Sequence, residues 1–419
     1  MILTVLIGIV ALRCSLVESS SLKRRRVTLG EPPLLHSGVY FGGVNRNGRV
    51  IEAYTSEHTV EHGEEIMSNF MTRILEDARN DPFIPQPSIA AGYQITPWGN
   101  MTFGPHICRG KKAIIFPIQE RPDWLIKYHC DCEELRSGLP TFHPLLKESF
   151  YGSKAAETSI AVKTLFVSPA SFLCAEKEGI CNFSMEGDLY KNCTKHGSTL
   201  RYAIMERSPG VTLYQYKKVS HNKVVSVKDA MTLAIGMMDL LETLHTTVGV
   251  THGDIHIQNV LLEPSHKFPD SHRIKLIDFE NATRNIVKPT SLKHERGAYS
   301  QFMCTQWQID GHYPAARDDV MKAVQMIAEL MNPDKYYSYG RVRQLQGYAS
   351  LRSFKMKEFI FAFPEYDPIE AMPFSVTKKA IIRNELNRVP TLVRGMSDVY
   401  SLPPYRELAK AFQNSLHLL

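Results

Sequence analysis

The spacing of hydrophobic positions changes about halfway along the chain. Residues 227–245 place their apolar side chains on one face of a helix, and residues 319–331 repeat this spacing. Before them, short runs rich in β-branched and aromatic residues occur at 113–118, 124–128 and 200–205, with a helical stretch at 144–162. This order predicts an α+β fold with a β-rich small lobe followed by a helical large lobe.

The amino terminus predicts entry into the secretory pathway. Residues 2–12 are apolar apart from Thr4 and Gly8, and a serine-rich segment follows. A bilayer about 30 Å thick needs about 20 apolar residues to span it, so this run is too short and no stable membrane anchor is expected. We therefore predict a signal peptide over residues 1–22 and a protein that is secreted or resides in the secretory-pathway lumen.

Glycosylation motifs and cysteines agree with that compartment. Asn-x-Ser/Thr motifs occur at Asn100, Asn182, Asn192 and Asn281. Two of them share residues 174–193 with three cysteines, which predicts an exposed Cys-rich insertion held by a disulfide bond. Of the eight cysteines, Cys14 would leave with the signal peptide, so an odd number remains, at least one is unpaired and the connectivity is open.

Composition and charge exclude several classes of protein. The chain has 419 residues, of which 43% are hydrophobic and 22% charged, so a wholly disordered, collagen-like or coiled-coil protein is excluded. The formal net charge is +6, and residues 23–26 supply four of these positive charges. Because the rest is nearly balanced, no nucleic-acid partner is expected. We interpret residues 23–92 as an amino-terminal extension packed on the main domain, residues 93–419.

One pair of segments carries chemistry. The first reads HGDIHIQN over residues 252–259, and the second is a hydrophobic run that ends in IDFE at residues 277–280. Phosphoryl transfer from ATP needs an aspartate that orients the attacking hydroxyl, an asparagine five residues on, and a second aspartate at a strand end. Asp254 is therefore predicted to be catalytic, and Asn259 and Asp278 to hold Mg²⁺ or Mn²⁺ against the ATP phosphates.

These motifs resemble those of the eukaryotic protein kinase superfamily, and within it the casein-kinase-one group, most of all the vaccinia-related kinase type. The resemblance covers residues 93–419 and implies a bilobal protein-kinase-like fold, with the small lobe over about 93–206 and the large lobe over about 207–419. The segment that ends in Asp319 is similar to the helix whose aspartate anchors the catalytic loop. Asp319 is thus expected to be structural.

The resemblance also assigns residues of an ATP site. Lys127 is implied to contact the ATP phosphates, and Glu148 is implied to form an ion pair with it, with Glu157 as the alternative partner. Met205 and Glu206 are similar to the residues at the hinge whose backbone groups hold adenine.

Some positions depart from the kinase pattern. A glycine-rich loop aligned on Gly99 and Gly104 has Met101 where its second glycine belongs. His256 replaces a lysine that contacts the transferred phosphate, and it is a catalytic candidate because a protonated imidazole supplies part of that charge. Glu280 replaces the glycine after Asp-Phe.

The resemblance implies an ATP-dependent kinase that transfers the γ-phosphate to Ser/Thr of a protein substrate, and these departures imply reduced activity. Two alternatives stay open: a catalytically weak or inactive pseudokinase that serves as a binding scaffold, and a small-molecule kinase of the choline or aminoglycoside phosphotransferase type, whose motifs are similar. Gly253 stands where protein kinases carry the arginine that pairs with an activation-loop phosphate, so that switch is not expected. The oligomeric state is left open.

Overall fold

The computed structural model describes fourteen stretches of the chain: residues 40–41, 43–44, 50–51, 93–96, 99–109, 113–131, 144–167, 172–173, 199–220, 224–264, 272–284, 315–331, 369–394 and 401–419. The predicted signal peptide, most of the amino-terminal extension and the Cys-rich insertion lie outside the described residues. The disulfide predicted for that insertion also stays a prediction. Cys108, in the described part, is exposed and free.

The strands of the described residues are short and mostly antiparallel. They are β1 (Tyr40–Phe41), β2 (Gly43–Val44), β3 (Val50–Ile51), β4 (Tyr93–Thr96), β5 (Gly99–Thr102), β6 (Cys108–Arg109), β7 (Ala113–Pro117), β8 (Trp124–Asp131), β9 (Thr164–Val167), β10 (Phe172–Leu173), β11 (Thr199–Glu206), β12 (Val211–Thr212), β13 (Val250–Thr251), β14 (Val260–Pro264), β15 (His272–Leu276) and β16 (Thr283–Arg284). One sheet has the order β1-β9-β11-β8-β7-β6, with β10 paired to β11. This sheet forms the small lobe.

The helices come mainly after the sheet. They are α1 (Pro144–Glu157), α2 (Leu213–Val219), α3 (Val227–Glu242), α4 (Ala316–Leu330), α5 (Val376–Arg394) and α6 (Tyr405–Leu418). No helix within the described residues is long and apolar enough to cross a bilayer. The predicted α+β fold, with a β-rich part and a helical part, is confirmed.

A row of aromatic side chains crosses one face of the small-lobe sheet. Neighbouring ring centroids in this row are 5.3–6.2 Å apart, and its members are Phe103, Phe116, Tyr128, Tyr202 and Phe166. Aromatic pairs at this separation stabilise a sheet beyond their buried area. Because successive side chains of a strand point to opposite faces, Tyr128 in this row places the neighbouring Lys127 on the other face.

Helix α3 lies at the centre of the large-lobe core. It begins at Val227 after the N-cap residue Ser226, whose side chain accepts the backbone N–H of Asp229, and its apolar face is buried. Leu408 and Phe412 of α6 are fully buried in the same core. Burying a side chain of this size contributes about 1.5–3 kcal/mol, so the carboxy-terminal helix is an integral part of the lobe.

The predicted glycine-rich segment, from Gly99 to Gly104, begins in a strand hairpin. Gly99–Thr102 is strand β5, paired with β4, and the side chain of Met101 is fully buried. The N–H of Gly104 donates to Pro117 O at 3.0 Å, and a Cβ on Gly104 would lie 2.8 Å from Pro117 Cγ. Glycine is needed at position 104 for close strand packing. Contact of Gly99 and Gly104 with the ATP phosphates stays a prediction.

Met101→Gly tests the packing role of Met101. Truncating a buried methionine to alanine costs about 2–5 kcal/mol, and glycine in a strand adds about 0.5–1 kcal/mol. We therefore expect the free energy of unfolding, measured with denaturant, to fall by about 2.5–6 kcal/mol. Ile107→Gly, at a side chain that is 51% exposed, is the matched control and should cost far less. A Met101→Gly variant as stable as the parent would contradict the packing role of Met101.

Candidate active site

A buried ion pair joins the small-lobe sheet to helix α1. Lys127 Nζ lies 2.7 Å and 2.6 Å from the two carboxylate oxygens of Glu148, and the two side chains are 7% and 8% exposed. Helix α1 begins at Pro144. Proline suits the first helical position because a backbone N–H there would find no acceptor within the helix, so the helix loses no hydrogen bond. Glu157, the alternative partner, instead lies 3.5 Å from Lys154.

Asp278 contacts the same lysine from the large lobe. Its Oδ1 is 3.0 Å from Lys127 Nζ. The Asp278 backbone is left-handed, with φ 67° and ψ 62°, a conformation that costs most residues about 1–2 kcal/mol but that aspartate visits more readily. The next residue, Phe279, is buried, and the centroid of its ring is 4.6 Å from that of the His252 ring. Gly152 packs against the same phenylalanine, since a Cβ on Gly152 would lie 3.5 Å from the Phe279 ring. The buried Phe279 side chain thus lies directly after the turn at which Asp278 contacts Lys127.

The charges around Lys127 are unbalanced. Burial by itself would lower the pKa of Lys127, but the carboxylates of Asp278, Glu148 and Glu280 outweigh burial and raise it. Burial raises the pKa of Glu148 to about 7; the Lys127 charge opposes this shift, and Asp278 and Glu280 add to it. Three carboxylates therefore share one ammonium, and such a site favours an added cation.

The catalytic-loop segment, residues 252–259, is held by a buried aspartate of α4. Asp319 Oδ2 accepts the backbone N–H of His252 at 2.6 Å, and Oδ1 accepts that of Gly253 at 2.9 Å. Lys322 Nζ donates to Gly253 O. Gly253 has φ +78°, and a Cβ there would lie 2.6 Å from Asn281 O, so only glycine fits. The predicted anchoring role of Asp319 is confirmed.

Asp319 is itself held from the carboxy-terminal helix. Nε2 of His245 donates to Asp319 Oδ2 at 3.0 Å, and Nδ1 of the same ring is hydrogen-bonded to the Tyr405 hydroxyl. Burial works to raise the pKa of Asp319, but the hydrogen bond from His245 and the charges of His245, His252 and Lys322 lower it below its ordinary value. The ionised carboxylate can therefore bind both backbone N–H groups of the loop.

Nitrogen atoms of three side chains converge on one oxygen of Asp254. Asn259 Nδ2 donates to Asp254 O at 3.0 Å and lies 3.4 Å from Oδ2. Asn281 Nδ2 is 3.5 Å from the same Oδ2, and His256 Nε2 is 3.6 Å from it. Nδ1 of His256 accepts the Gln258 N–H at 3.2 Å, which directs Nε2 toward Asp254. The structure thus brings together the predicted Asp254, His256 and Asn259.

The residues predicted at the hinge lie at the end of strand β11. Lys127 pairs across the sheet with Ala203, and Met205 is two residues further along β11, half-buried. Glu206 is exposed, and its backbone N–H donates to Lys163 O at 2.9 Å, so that donor is engaged within the protein. Contact of Met205 and Glu206 with adenine stays a prediction.

Two residues of the site were missed as site residues by the sequence analysis. Asn281 was interpreted only as a glycosylation motif, yet its side chain faces Asp254. Glu280 was interpreted only as a lost glycine, yet its Oε2 lies 3.5 Å from Nε2 of His129 on strand β8. Glu280 and Asn281 stand two and three positions after Asp278, and this closeness in the sequence could have marked them as site residues. Their contacts, however, depend on how the segment after Asp278 folds back.

In the part of the chain that the structure describes, no group of three or more His, Cys, Asp or Glu side chains could hold a metal ion. A site for Mg²⁺ does not need such a group, because this ion commonly takes one or two protein ligands and fills its other positions with phosphate oxygens and waters. Asn259 and Asp278 are compatible with that arrangement.

Comparison with known proteins supports the fold. No protein-family model matches the chain, and no curated protein matches its sequence. Among solved structures, vaccinia related kinase 3 has a TM-score of 0.50 and 14% identity over 80% of this chain and 94% of that chain. The BubR1 kinase domain has a TM-score of 0.47 and 14% identity, over 84% of this chain and 93% of that chain. The Mycobacterium tuberculosis PknI kinase domain has a TM-score of 0.43 and 13% identity, over 78% of this chain and 96% of that chain. The likeness to vaccinia related kinase 3 shows that this chain has a protein-kinase-like fold.

Glu148→Gln should change how stability depends on pH. The pKa of Glu148 is about 7 in the folded protein against an ordinary 4.5, so the folded state binds more protons than the unfolded chain between these values. This group therefore makes stability fall as pH rises from 4.5 to about 7. The variant should remove that contribution, measured as the difference in unfolding free energy between parent and variant across this window. An unchanged slope in Glu148→Gln would contradict the assignment.

Proposed function

We propose that the protein is an ATP-dependent protein kinase that transfers the γ-phosphate of ATP to Ser or Thr of a protein substrate. The observation that carries this proposal is the buried contact of Lys127 with both Glu148 and Asp278, in a protein-kinase-like fold that also holds Asp254 and Asn259 on one loop. The motifs that resemble the vaccinia-related type of the casein-kinase-one group support the choice of a protein substrate.

The residues of the site fit ATP and a divalent cation. Asn259 Nδ2 is used by Asp254 O, so the amide oxygen is the atom that can bind a cation. Asp278 engages Lys127 through Oδ1, and Oδ2 has no hydrogen bond to any residue that the structure describes. Lys127 would hold ATP phosphates while Glu148 keeps it in place. Mg²⁺ or Mn²⁺, when bound, neutralises charge on the phosphates.

The proposed reaction uses Asp254 as the group that orients the substrate and accepts its proton. The hydroxyl oxygen of Ser or Thr attacks the γ-phosphorus, its proton passes to Asp254, and the bond from the γ-phosphorus to the bridging oxygen breaks. The products are the phosphorylated protein and ADP. His256 lies beside Asp254 and would supply a hydrogen bond, and when protonated a charge, to the transferred phosphoryl group.

We further propose that this reaction takes place in the secretory-pathway lumen or outside the cell, because of the apolar amino terminus and the glycosylation motifs. Asn100 is exposed and compatible with a glycan. Asn281 is half-buried with Nδ2 directed at Asp254, so a glycan there would occupy the site. We expect Asn281 to be unmodified in active protein.

A second candidate is the pseudokinase, a scaffold without transfer activity. It is favoured by one observation: the segment predicted to cover the phosphates has Met101 in place of a glycine, and this side chain is fully buried in strand β5, Gly99–Thr102. Binding of ATP and transfer of phosphate must therefore be measured separately.

Asp254→Asn and Asp278→Asn separate binding from transfer. Loss of the proton acceptor should lower the transfer rate about 10²–10⁴-fold. Stabilisation by ATP and Mg²⁺, worth roughly 2.7 kcal/mol at a hundredfold excess over the dissociation constant, should persist in Asp254→Asn. In Asp278→Asn, the part of this stabilisation that depends on the metal ion should be lost. Asp123→Asn, whose side chain is 62% exposed, is the control.

Radiolabelled ATP, a generic protein substrate, choline and an aminoglycoside serve as reagents for that test. ATP binding without transfer to any acceptor in the parent would favour the pseudokinase. Transfer to choline or the aminoglycoside alone would favour the small-molecule kinase, and absence of metal-dependent ATP binding would refute the proposed site.

His256→Lys should raise the transfer rate at neutral pH. Lysine supplies a full charge, whereas a neutral imidazole donates only one hydrogen bond. His256→Ala should lower the rate by about 10²-fold, the usual effect of losing one preorganised donor. Steady-state rates at saturating ATP measure both changes. If His256→Ala were as active as the parent, the histidine would have only a packing role.

A further inference from the structure

We propose that Glu280 and His129 form a latch that holds the Asp278 segment against strand β8, which makes Glu280 a positioning residue of the phosphotransfer site. This inference rests on the proposed function. It gives a role to Glu280, which stands where the kinase pattern has a glycine.

The latch follows from the alternation of side chains in both segments. Lys127 and His129 are two residues apart on β8 and so lie on the same face of the strand. Lys127 Nζ is 3.0 Å from Asp278 Oδ1, and His129 Nε2 is 3.5 Å from Glu280 Oε2. Two residues of β8 that are two positions apart thus contact two residues that are two positions apart in the segment from Asp278 to Glu280. Two such contacts fix the orientation of the segment, which a single contact would leave free to pivot.

Burial makes the second contact effective. The His129 side chain is 1% exposed and the Glu280 side chain 28% exposed, so water screens the pair much less than it screens a surface ion pair. At 3.5 Å the contact is electrostatic rather than a close hydrogen bond, and electrostatic attraction is stronger in such surroundings than in water. Between the two contacts, the ring of Phe279 is buried against His252, which holds the middle of the segment.

The latch also accounts for how the site could stay assembled without an activating phosphate. Gly253 stands where an arginine would receive that phosphate, and the close approach of Asn281 O to Gly253 leaves no room for a side chain. The Lys127–Glu148 pair is nevertheless formed and Asp278 contacts Lys127. A contact between Glu280 and His129 would hold Asp278 in this position by means of residues already in the fold.

A set of substitutions tests the latch. Glu280→Ala removes it, Glu280→Gln keeps an oxygen at the same place along the side chain, and His129→Leu removes the nitrogen that faces Glu280 with little change in volume. The affinity for ATP with Mg²⁺ is measured by calorimetry, together with kcat and KM for ATP. Glu157→Ala is the matched control, because Glu157 lies 3.5 Å from Lys154, the same separation as in the latch, on the helix that carries Glu148.

If the latch positions Asp278, Glu280→Ala and His129→Leu should each weaken binding of ATP with Mg²⁺ by about three- to tenfold, and the double variant should be no weaker than either one. Glu280→Gln should stay within about twofold of the parent, and Glu157→Ala should match it. The proposal is overturned if Glu280→Ala binds as tightly as the parent or more tightly, if the two losses multiply, or if Gln is as weak as Ala.

Two complications are separable. If His129→Leu does not fold, the comparison of Glu280→Ala with Glu280→Gln decides. If the parent itself does not bind ATP with Mg²⁺, the proposed function fails, and the latch is then judged by unfolding: non-additive losses of stability in the double variant support the contact, and additive losses refute it.

Discussion

One ammonium group, that of Lys127, is shared by three carboxylates that two different segments bring to it, and the arrangement of the site depends on this sharing. Glu148 comes from helix α1, and Asp278 and Glu280 come from the segment after β15. The lysine is buried, so neither water nor salt can take the place of these partners, and loss of one member would leave an uncompensated charge in the interior. The excess of negative charge gives the cluster a physical reason to bind a divalent cation, which a balanced ion pair would lack.

A second constraint acts on the backbone of the catalytic loop. Asp319 fixes two consecutive N–H groups, and Gly253 is forced into a left-handed conformation with Asn281 O where a Cβ would be. This explains a departure from the kinase pattern in steric terms: an arginine at position 253 cannot be accommodated unless the Asn281 segment moves. The absence of the arginine and the position of Asn281 beside Asp254 are therefore two aspects of one local structure, and the carboxy-terminal helix reinforces it through Tyr405 and His245.

Periodicity predicted most of the regular elements in the described residues, because core packing fixes which positions are apolar. Helix α3 and strands β7, β8 and β11 lie within a few residues of the predicted bounds, and the spacing of HGDIHIQN placed Asp254 and Asn259 correctly on one loop. The packing of the glycine-rich segment could not be predicted, because two glycines five residues apart also suit a tightly packed strand, and only tertiary contacts show that Gly104 packs on Pro117. The contacts of Asn281 and Glu280 were beyond the sequence for a related reason: they join residues 27 and 151 positions apart in the chain.

The most direct test of the central claim is a crystal structure of the protein with Mn²⁺ and a non-hydrolysable ATP analogue. The account predicts that Lys127 Nζ stays within hydrogen-bond distance of Glu148 and exchanges Asp278 for a phosphate oxygen. It also predicts that the metal is bound by Asp278 and Asn259, with the γ-phosphate beside Asp254. Nucleotide bound elsewhere, or bound between the lobes with Lys127 still on Asp278 and no metal on Asp278 or Asn259, would contradict it.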